Sequence, residues 1–226
     1  MLDIFNYILV AILIGVSATW IVLIKSMLRT FNESPFLDKF EKKECSKPKV
    51  SIILPARNEE KFIEKCLNSL LNQDYDNYEI IAINDSSKDS TGNIIKKYSK
   101  KFPKVISVDA KPKPDGWIGK NWACIEGYKK ASGDLLLFTD ADTTHTSSVI
   151  SLAVSHLLSL ELDALTVIPR MLCLDKITKI TLPMISTFLH TRFSALRVND
   201  TSKGTGYFFG SFFIIKKSTY DSVGTH

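Results

Sequence analysis

The chain is sparing with cysteine, glycine and proline, and one end of it carries almost no charge. Four cysteines occur in 226 residues, Cys45, Cys66, Cys124 and Cys173, and none are spaced C-x-x-C. A zinc ribbon, a thioredoxin-like motif and a disulfide scaffold are thereby excluded, and reduced thiols are expected. Ten glycines and eight prolines exclude a collagen-like chain. Neither G-x-G-x-x-G nor a P-loop lysine motif is present, which disfavours dinucleotide dehydrogenases and P-loop nucleotide hydrolases. Internal repeats and low-complexity tracts are also missing. Apolar side chain is plentiful, at 45% hydrophobic against 23% charged residues. That is too much for a disordered chain and enough for a sizeable core.

The apolar residues are unevenly spread. Ile4 to Ile24 is a 21-residue run without charge. At about 1.5 Å per residue it reaches roughly 30 Å as a helix, the thickness of a hydrocarbon core. A cleaved signal peptide needs a positive leader, a shorter apolar stretch and a small-residue cleavage site, whereas only Asp3 is charged ahead of this run. The expectation is a retained transmembrane helix within an anchor of residues 1–28, then a basic linker, residues 29–49. Residues 25–49 hold seven cations (Lys25, Arg29, Lys39, Lys42, Lys43, Lys47, Lys49) and residues 1–24 none. The positive-inside rule places the remainder on the cytoplasmic side of a cell membrane, with a single pass in this chain.

The overall balance, 29 Lys+Arg against 24 Asp+Glu, is +5. A second basic cluster comprises Lys96, Lys97, Lys100, Lys101, Lys104, Lys111 and Lys113. No helix-turn-helix, aromatic ribonucleoprotein motif or zinc finger accompanies it, so no nucleic-acid partner is expected. Anionic headgroups and plain solvent both suit such a surface.

Beyond the linker, apolar strands alternate with amphipathic helices. Strands are expected at Val50–Leu54, Glu79–Ile83, Val105–Val108 and Asp134–Phe138. A helix starting near Asn58 is marked by the stripe Phe62, Ile63, Cys66, Leu67, Leu70, Leu71, and others by Ser90–Lys101 and Asn121–Ala131. Continuously apolar strands between helices imply an α/β fold, a mostly parallel sheet covered on both faces. Ligands of such sheets bind beyond the carboxyl ends of the strands. Three strand ends are polar here: Pro55-Ala-Arg-Asn-Glu59, Asn84-Asp85 and Asp140-Ala-Asp142. They point to one crevice.

Asp140 and Asp142, at i and i+2 after a strand, can turn both carboxylates to one hard cation, Mg²⁺ or Mn²⁺. The competing role is capping a helix that begins near Ser147. Asp85 suits a base or ribose, or equally an Asx-turn or cap for the helix at Ser90. Arg57 suits a base or phosphate. Lys120 adds a cation at a helix start, a setting for a diphosphate.

The strings Val50-Ser-Ile-Ile-Leu-Pro-Ala-Arg-Asn-Glu-Glu60, Ile83-Asn-Asp-Ser-Ser-Lys-Asp-Ser-Thr91 and Phe138-Thr-Asp-Ala-Asp142 resemble the family 2 glycosyltransferases of GT-A fold. Pro114-Asp-Gly-Trp-Ile-Gly-Lys-Asn-Trp-Ala123 is similar to the membrane-bound branch that includes hopanoid-associated and carotenoid glycosyltransferases. The resemblance covers roughly residues 48–226 and implies a GT-A domain over 50–226. It implies that Pro55, Arg57, Glu59 and Asp85 line a nucleotide, and that Lys120 lies near its diphosphate. It makes Asp140 and Asp142 the D-x-D, with Asp142 the direct metal ligand. Asn84 departs from the pattern, since many relatives have a second Asp there. The implied reaction moves a sugar from a nucleotide-diphospho-sugar to a hydroxyl of a lipid or lipid-linked acceptor, with inversion.

That resemblance places the general base in an acidic motif beyond Gly206-Tyr-Phe-Phe-Gly210 and Ser211–Lys216, hence past His226, and the domain is expected to be C-terminally incomplete. Asp200 and Asp221 are the nearby acids, His226 is a terminal histidine, and His145 sits either at the phosphates or on the surface. A nucleotidyltransferase, and a membrane-tethered nucleotide-sugar binder without activity, are the rival readings. The apolar segment 171–198, with Lys176, Lys179, Arg192 and Arg197 at its flanks, suits either an interfacial helix or a packed helix kinked at Pro183.

Overall fold

The computed structural model describes residues 2–33, 36–40, 42, 46–173 and 175–225. Lys43, Cys45 and His226 lie outside the described residues. The chain divides into two compact units, Met1–Phe36 with Arg170–Tyr207, and Leu37–Pro169 with Phe208–His226.

The larger unit is a six-stranded sheet. Its strands are β1 (Val50–Ala56), β2 (Tyr78–Asn84), β3 (Val105–Asp109), β4 (Leu135–Thr139), β5 (Ala164–Thr166) and β6 (Phe212–Lys216), in the order β3-β2-β1-β4-β6-β5. β3, β2, β1 and β4 are parallel, whereas β6 pairs antiparallel with both β4 and β5. The four parallel strands and the helices between them agree with the expectation from sequence. β5 and β6 are additional, and they make the sheet mixed.

Side-chain parity along the strands builds two cores. Ile52, Leu54, Ile80, Ala82 and Leu137 face α2 (Ile63–Leu71), α3 (Thr91–Lys101) and α5 (Val149–Ser159). Ile53, Ile81, Ile83, Leu136 and Phe138 face α4 (Gly119–Tyr128) and α8 (Lys217–Ser222). A strand with both faces covered has no polar alternation, which is why these segments read as unbroken apolar runs. Each fully buried Ile or Leu stabilises the fold by about 1.5–3 kcal/mol.

Two boundaries differ from expectation for a physical reason. The segment after β1 does not enter a helix at Asn58; Asn58 takes a left-handed φ of 56° and α2 begins at Ile63. Pro55 has no N–H to give, and the ladder between β1 and β4 runs from Val50↔Leu135 only to Ile53↔Phe138. The ladder with β2 continues to Ala56↔Asn84. β1 and β4 therefore part just where the polar strand ends begin.

At the opposite end of the sheet the buried Glu79 carboxylate is held by the Lys49 ammonium at 2.8 Å, by the Ser51 hydroxyl at 2.6 Å and by the Ser132 N–H at 2.8 Å. Burial alone would raise its pKa, but these donors outweigh burial and bring it down to about 2.

The smaller unit contains α1 (Leu2–Glu33), α6 (Lys176–Phe193) and α7 (Ala195–Val198). Among the described residues α1 is the one helix long and apolar enough to cross a membrane. Its apolar side chains, among them Ile8, Val16 and Val22, are exposed, and so are Ile177, Ile180, Met184 and Phe188 of α6. α6 has no buried residue, unlike an ordinary core helix, and Pro183 lies within it. Inside this unit the Ser26 hydroxyl and His190 Nε2 are 3.2 Å apart.

Candidate active site

The carboxyl ends of β2, β1 and β4 are neighbours in the sheet and point the same way, so Asp85, Arg57 and Asp140 arrive side by side as the residues that directly follow the three strands. The backbone N–H of Asp85 donates to the Ala56 carbonyl at 2.9 Å, which extends the β1–β2 ladder by one bond. The Arg57 guanidinium then lies 3.7 Å from Asp85 Oδ2; the carboxylate is largely buried and the guanidinium mostly open to solvent.

The loops after β1 and β2 are stitched together. Asn58 N–H donates to the Ser87 hydroxyl at 3.1 Å, and Asn58 Oδ1 accepts from Lys88 N–H at 2.9 Å. Glu59 N–H donates to the Thr91 hydroxyl at 2.8 Å, Glu60 N–H donates to the Asp89 carboxylate at 3.1 Å, and the Glu60 carboxylate accepts from Ser90 N–H at 3.0 Å. Ser86 is left-handed too, with φ 54°. Two residues bent against their steric preference cost free energy that this double row of hydrogen bonds offsets. Ser90 stands at the N-cap of α3 without a side-chain cap bond, and the Asp89 carboxylate before it accepts from Thr91 N–H at 3.0 Å. Asp85 is thus free of that duty. Asn84, the departure from the family pattern, donates to Asp109 at 3.0 Å and accepts from Ser87 N–H at 3.2 Å, bracing β2 against β3 and its own loop.

α4 closes the far wall. A side chain at Gly119 would put its Cβ 3.6 Å from Asp85 Oδ2 and 3.9 Å from the Arg57 guanidinium. The next residue, Lys120, forms an ion pair with Asp140. Two consecutive residues of α4 therefore meet both halves of the crevice. The loop leading to them is pinned by Trp122, whose indole N–H donates to the Lys111 carbonyl at 2.8 Å and whose ring meets Trp117 edge-on. Lys120 also lines a cavity of about 320 Å³ with Asn121, Cys124, Phe138, Phe208, Gly210 and Phe213.

Asp140 is partly exposed and Asp142 exposed. Neither caps α5, which starts at Val149 without a side-chain cap. Glu59 belongs to the same electrostatic neighbourhood: burial first, then the charges of Asp142, Asp140 and Asp89, raise its carboxyl above the ordinary range. Carboxylate oxygens are the donors a hard divalent cation takes. Among the described residues no group of three His, Cys, Asp or Glu side chains is placed to hold a metal. A cation at Asp140 and Asp142 would take its other ligands from phosphate and water, as Mg²⁺ habitually does. The donor set fits that use.

His145, expected at the phosphates or on the surface, is half-buried with its ring against two threonine hydroxyls. Its Nε2 lies 3.0 Å from the Thr139 hydroxyl and 3.1 Å from that of Thr143, and its N–H donates to Ser69 at 3.1 Å. Burial lowers its pKa to about 4, so it stands neutral behind the D-x-D and braces it. Asp200 and Asp221 are each engaged by a neighbour: Asp221 accepts from the Tyr128 hydroxyl, and the Asp200 carboxylate accepts from Ser202 N–H at 3.0 Å. Cys66 and Cys124 are free and buried, and burial pushes both thiols up to about 12.

This sheet, with its helices, is that of the GT-A fold. A solved mannosyltransferase of Pyrobaculum calidifontis, in complex with GDP-Man and Mn²⁺, superposes with a TM-score of 0.64 at 20% identity over 94% of this chain and 57% of its own, which establishes the shared fold. The family model "Glycosyl transferase family 2" matches residues 51–224, and the chain belongs to that family. A probable glycosyltransferase of Bacillus subtilis, YdaM, is 34% identical over 142 residues, 58% of this chain and 33% of its own length. The 4,4'-diaponeurosporenoate glycosyltransferase of Staphylococcus haemolyticus is 40% identical over 93 residues, 41% of this chain and 24% of its own. The chain thus spans about a third or less of these relatives.

Proposed function

We propose that the protein is a membrane-anchored glycosyltransferase that moves a sugar from a nucleotide-diphospho-sugar to a hydroxyl of a lipid or lipid-linked acceptor, with inversion. The observation that carries this reading is the meeting of Gly119 and Lys120 with the Arg57–Asp85 and Lys120–Asp140 pairs on three adjacent strand ends. Pro55, Arg57, Glu59 and Asp85 take the nucleoside end of the donor, and Lys120 its diphosphate. Asp142, with Asp140, holds Mg²⁺ or Mn²⁺. That cation supplies Lewis-acid neutralisation of the departing diphosphate. The chain's own residues orient the donor: the half-sequestered Asp85 carboxylate offers a fixed acceptor for hydroxyl or base N–H, and the open Arg57 guanidinium offers planar charge.

Anchoring is supported by α1, which is long and apolar enough to cross a membrane. Cations flanking only its C-terminal side put the domain on the cytoplasmic face. The apolar surface of α6 lies in the bilayer interface, from which a lipid acceptor is drawn. The diaponeurosporenoate in one relative's name and the neighbour's GDP-Man and Mn²⁺ support this reading in kind.

The test is turnover of UDP- and GDP-sugars by the full chain in nanodiscs with Mn²⁺, with and without isoprenoid alcohols. Release of nucleoside diphosphate supports the reading. A second reading, donor binding without transfer, is favoured by the engagement of Asp200 and Asp221 away from any acceptor-deprotonating role. It is recognised by tight donor binding with no release.

A further inference from the structure

The Lys120–Asp140 pair raises a question that donor binding alone does not answer. Lys120 has two tasks that exclude each other: its ammonium sits on Oδ1 of Asp140, and on the reading above it is also the cation that takes the donor's diphosphate. Asp142 has no hydrogen-bond or ion-pair partner among the described residues. The two carboxylates of the D-x-D are therefore unequal, one neutralised by a resident cation and one open. A divalent ion arriving alone meets an ammonium on half of its ligand set. At short range two cations on one carboxylate repel strongly.

A diphosphate changes that balance. It offers the ammonium an anion of higher charge within the reach of one lysine side chain, and it offers the metal the oxygen ligands that the protein lacks. Space for the movement exists, because the Lys120 side chain is half exposed. Gly210 lies against Lys120, since a Cβ there would stand 3.4 Å from the ammonium, while the 320 Å³ cavity opens along the lysine stem.

We propose that Lys120 is a displaceable counter-ion that holds Asp140 until a nucleoside diphosphate draws it away, so that the divalent cation binds together with the donor and not before it. The proposal rests on the reading of Asp140 and Asp142 as cation ligands. Lys120 acts here as a positioning residue. Binding of metal and nucleotide is then coupled through one side chain, and by linkage each strengthens the other.

The experiment is a titration of the full chain in nanodiscs with Mn²⁺, read by the electron paramagnetic resonance of free Mn²⁺, alone and with UDP or GDP. It is repeated for Lys120→Met, which keeps the stem and removes the charge, and for Lys120→Arg, which keeps the charge. The expected result for Lys120→Met has opposite signs. Mn²⁺ alone binds about fivefold or more tightly than to the unmodified chain, and nucleoside diphosphate binds about fivefold or more weakly, so the coupling shrinks. Lys120→Arg stays close to the unmodified chain on both axes. Retained thermal unfolding shows that the variants are folded, and Lys120→Gln serves if the Met variant is not. If nucleotide still binds to the unmodified chain but Mn²⁺ affinity in Lys120→Met is unchanged or weaker, the counter-ion role is wrong while the site stands. If the unmodified chain binds neither UDP nor GDP, both the role and the site reading fall.

Discussion

Arg57 and Asp85, 28 residues apart in sequence, face each other 3.7 Å apart because each is the first residue past one of two paired strands whose register runs Pro55↔Ile83 and Ala56↔Asn84. The pair is built by the sheet, not by the loops. It inherits the rigidity of a core in which Leu54, Ala56, Ala82 and Ile83 are buried.

Asp85→Ala is expected to weaken UDP or GDP binding by roughly tenfold or more, since a hydrogen bond to a charged group contributes about 1.5–3 kcal/mol. The thermal unfolding midpoint should move little, because the partner Arg57 remains in solvent. Calorimetric titration of the full chain checks both. Unchanged nucleotide affinity would remove Asp85 from the site.

Gly133→Ala tests the close approach of β4 to β1. A Cβ at this position would lie 2.6 Å from the Lys49 carbonyl and 2.7 Å from Ser51 N, both backbone atoms that cannot rotate away. The expected loss is at least about 2 kcal/mol of unfolding free energy. Chemical denaturation measures it.

Acid should unfold the domain in two windows. His145 is held at about 4 by burial, against 6.5 in the open. Its folded form resists the proton, so its contribution is complete above pH 6.5 and is lost as pH falls towards 4. Glu79 is held at about 2 against 4.5; its contribution, about 3 kcal/mol, is complete above pH 4.5 and disappears towards pH 2. His145→Gln should flatten the upper window and leave the lower, and Glu79→Gln the reverse. Unfolding free energy measured from pH 7 to pH 2.5 distinguishes them.

Much of this architecture is readable in the sequence because β1, β2 and β4 are buried on both faces and therefore unmistakably apolar. Arg57, Asp85 and Asp140 follow from that, each being the first charged residue after such a run. β5 and β6 escape because they join the sheet from the far side of a long insertion, and Ala164–Thr166 is too short to show a period. Phe212-Phe-Ile-Ile215 did carry a strand signal. The row of bonds joining Asn58 to Ser87 and Lys88 has no local signature at all, since it depends on two loops some 30 residues apart meeting only after the strands pair. The inward turn of His145 is equally tertiary: its partners Thr139 and Thr143 are near in sequence, but the burial that neutralises it comes from the fold around them.

Metal-assisted transfer depends most directly on Asp142. Donor turnover by the full chain with saturating Mn²⁺ should fall roughly 100-fold in Asp142→Ala, the rate equivalent of about 3 kcal/mol of leaving-group stabilisation, while unfolding is unaffected. Equal release of nucleoside diphosphate by the two proteins would contradict it.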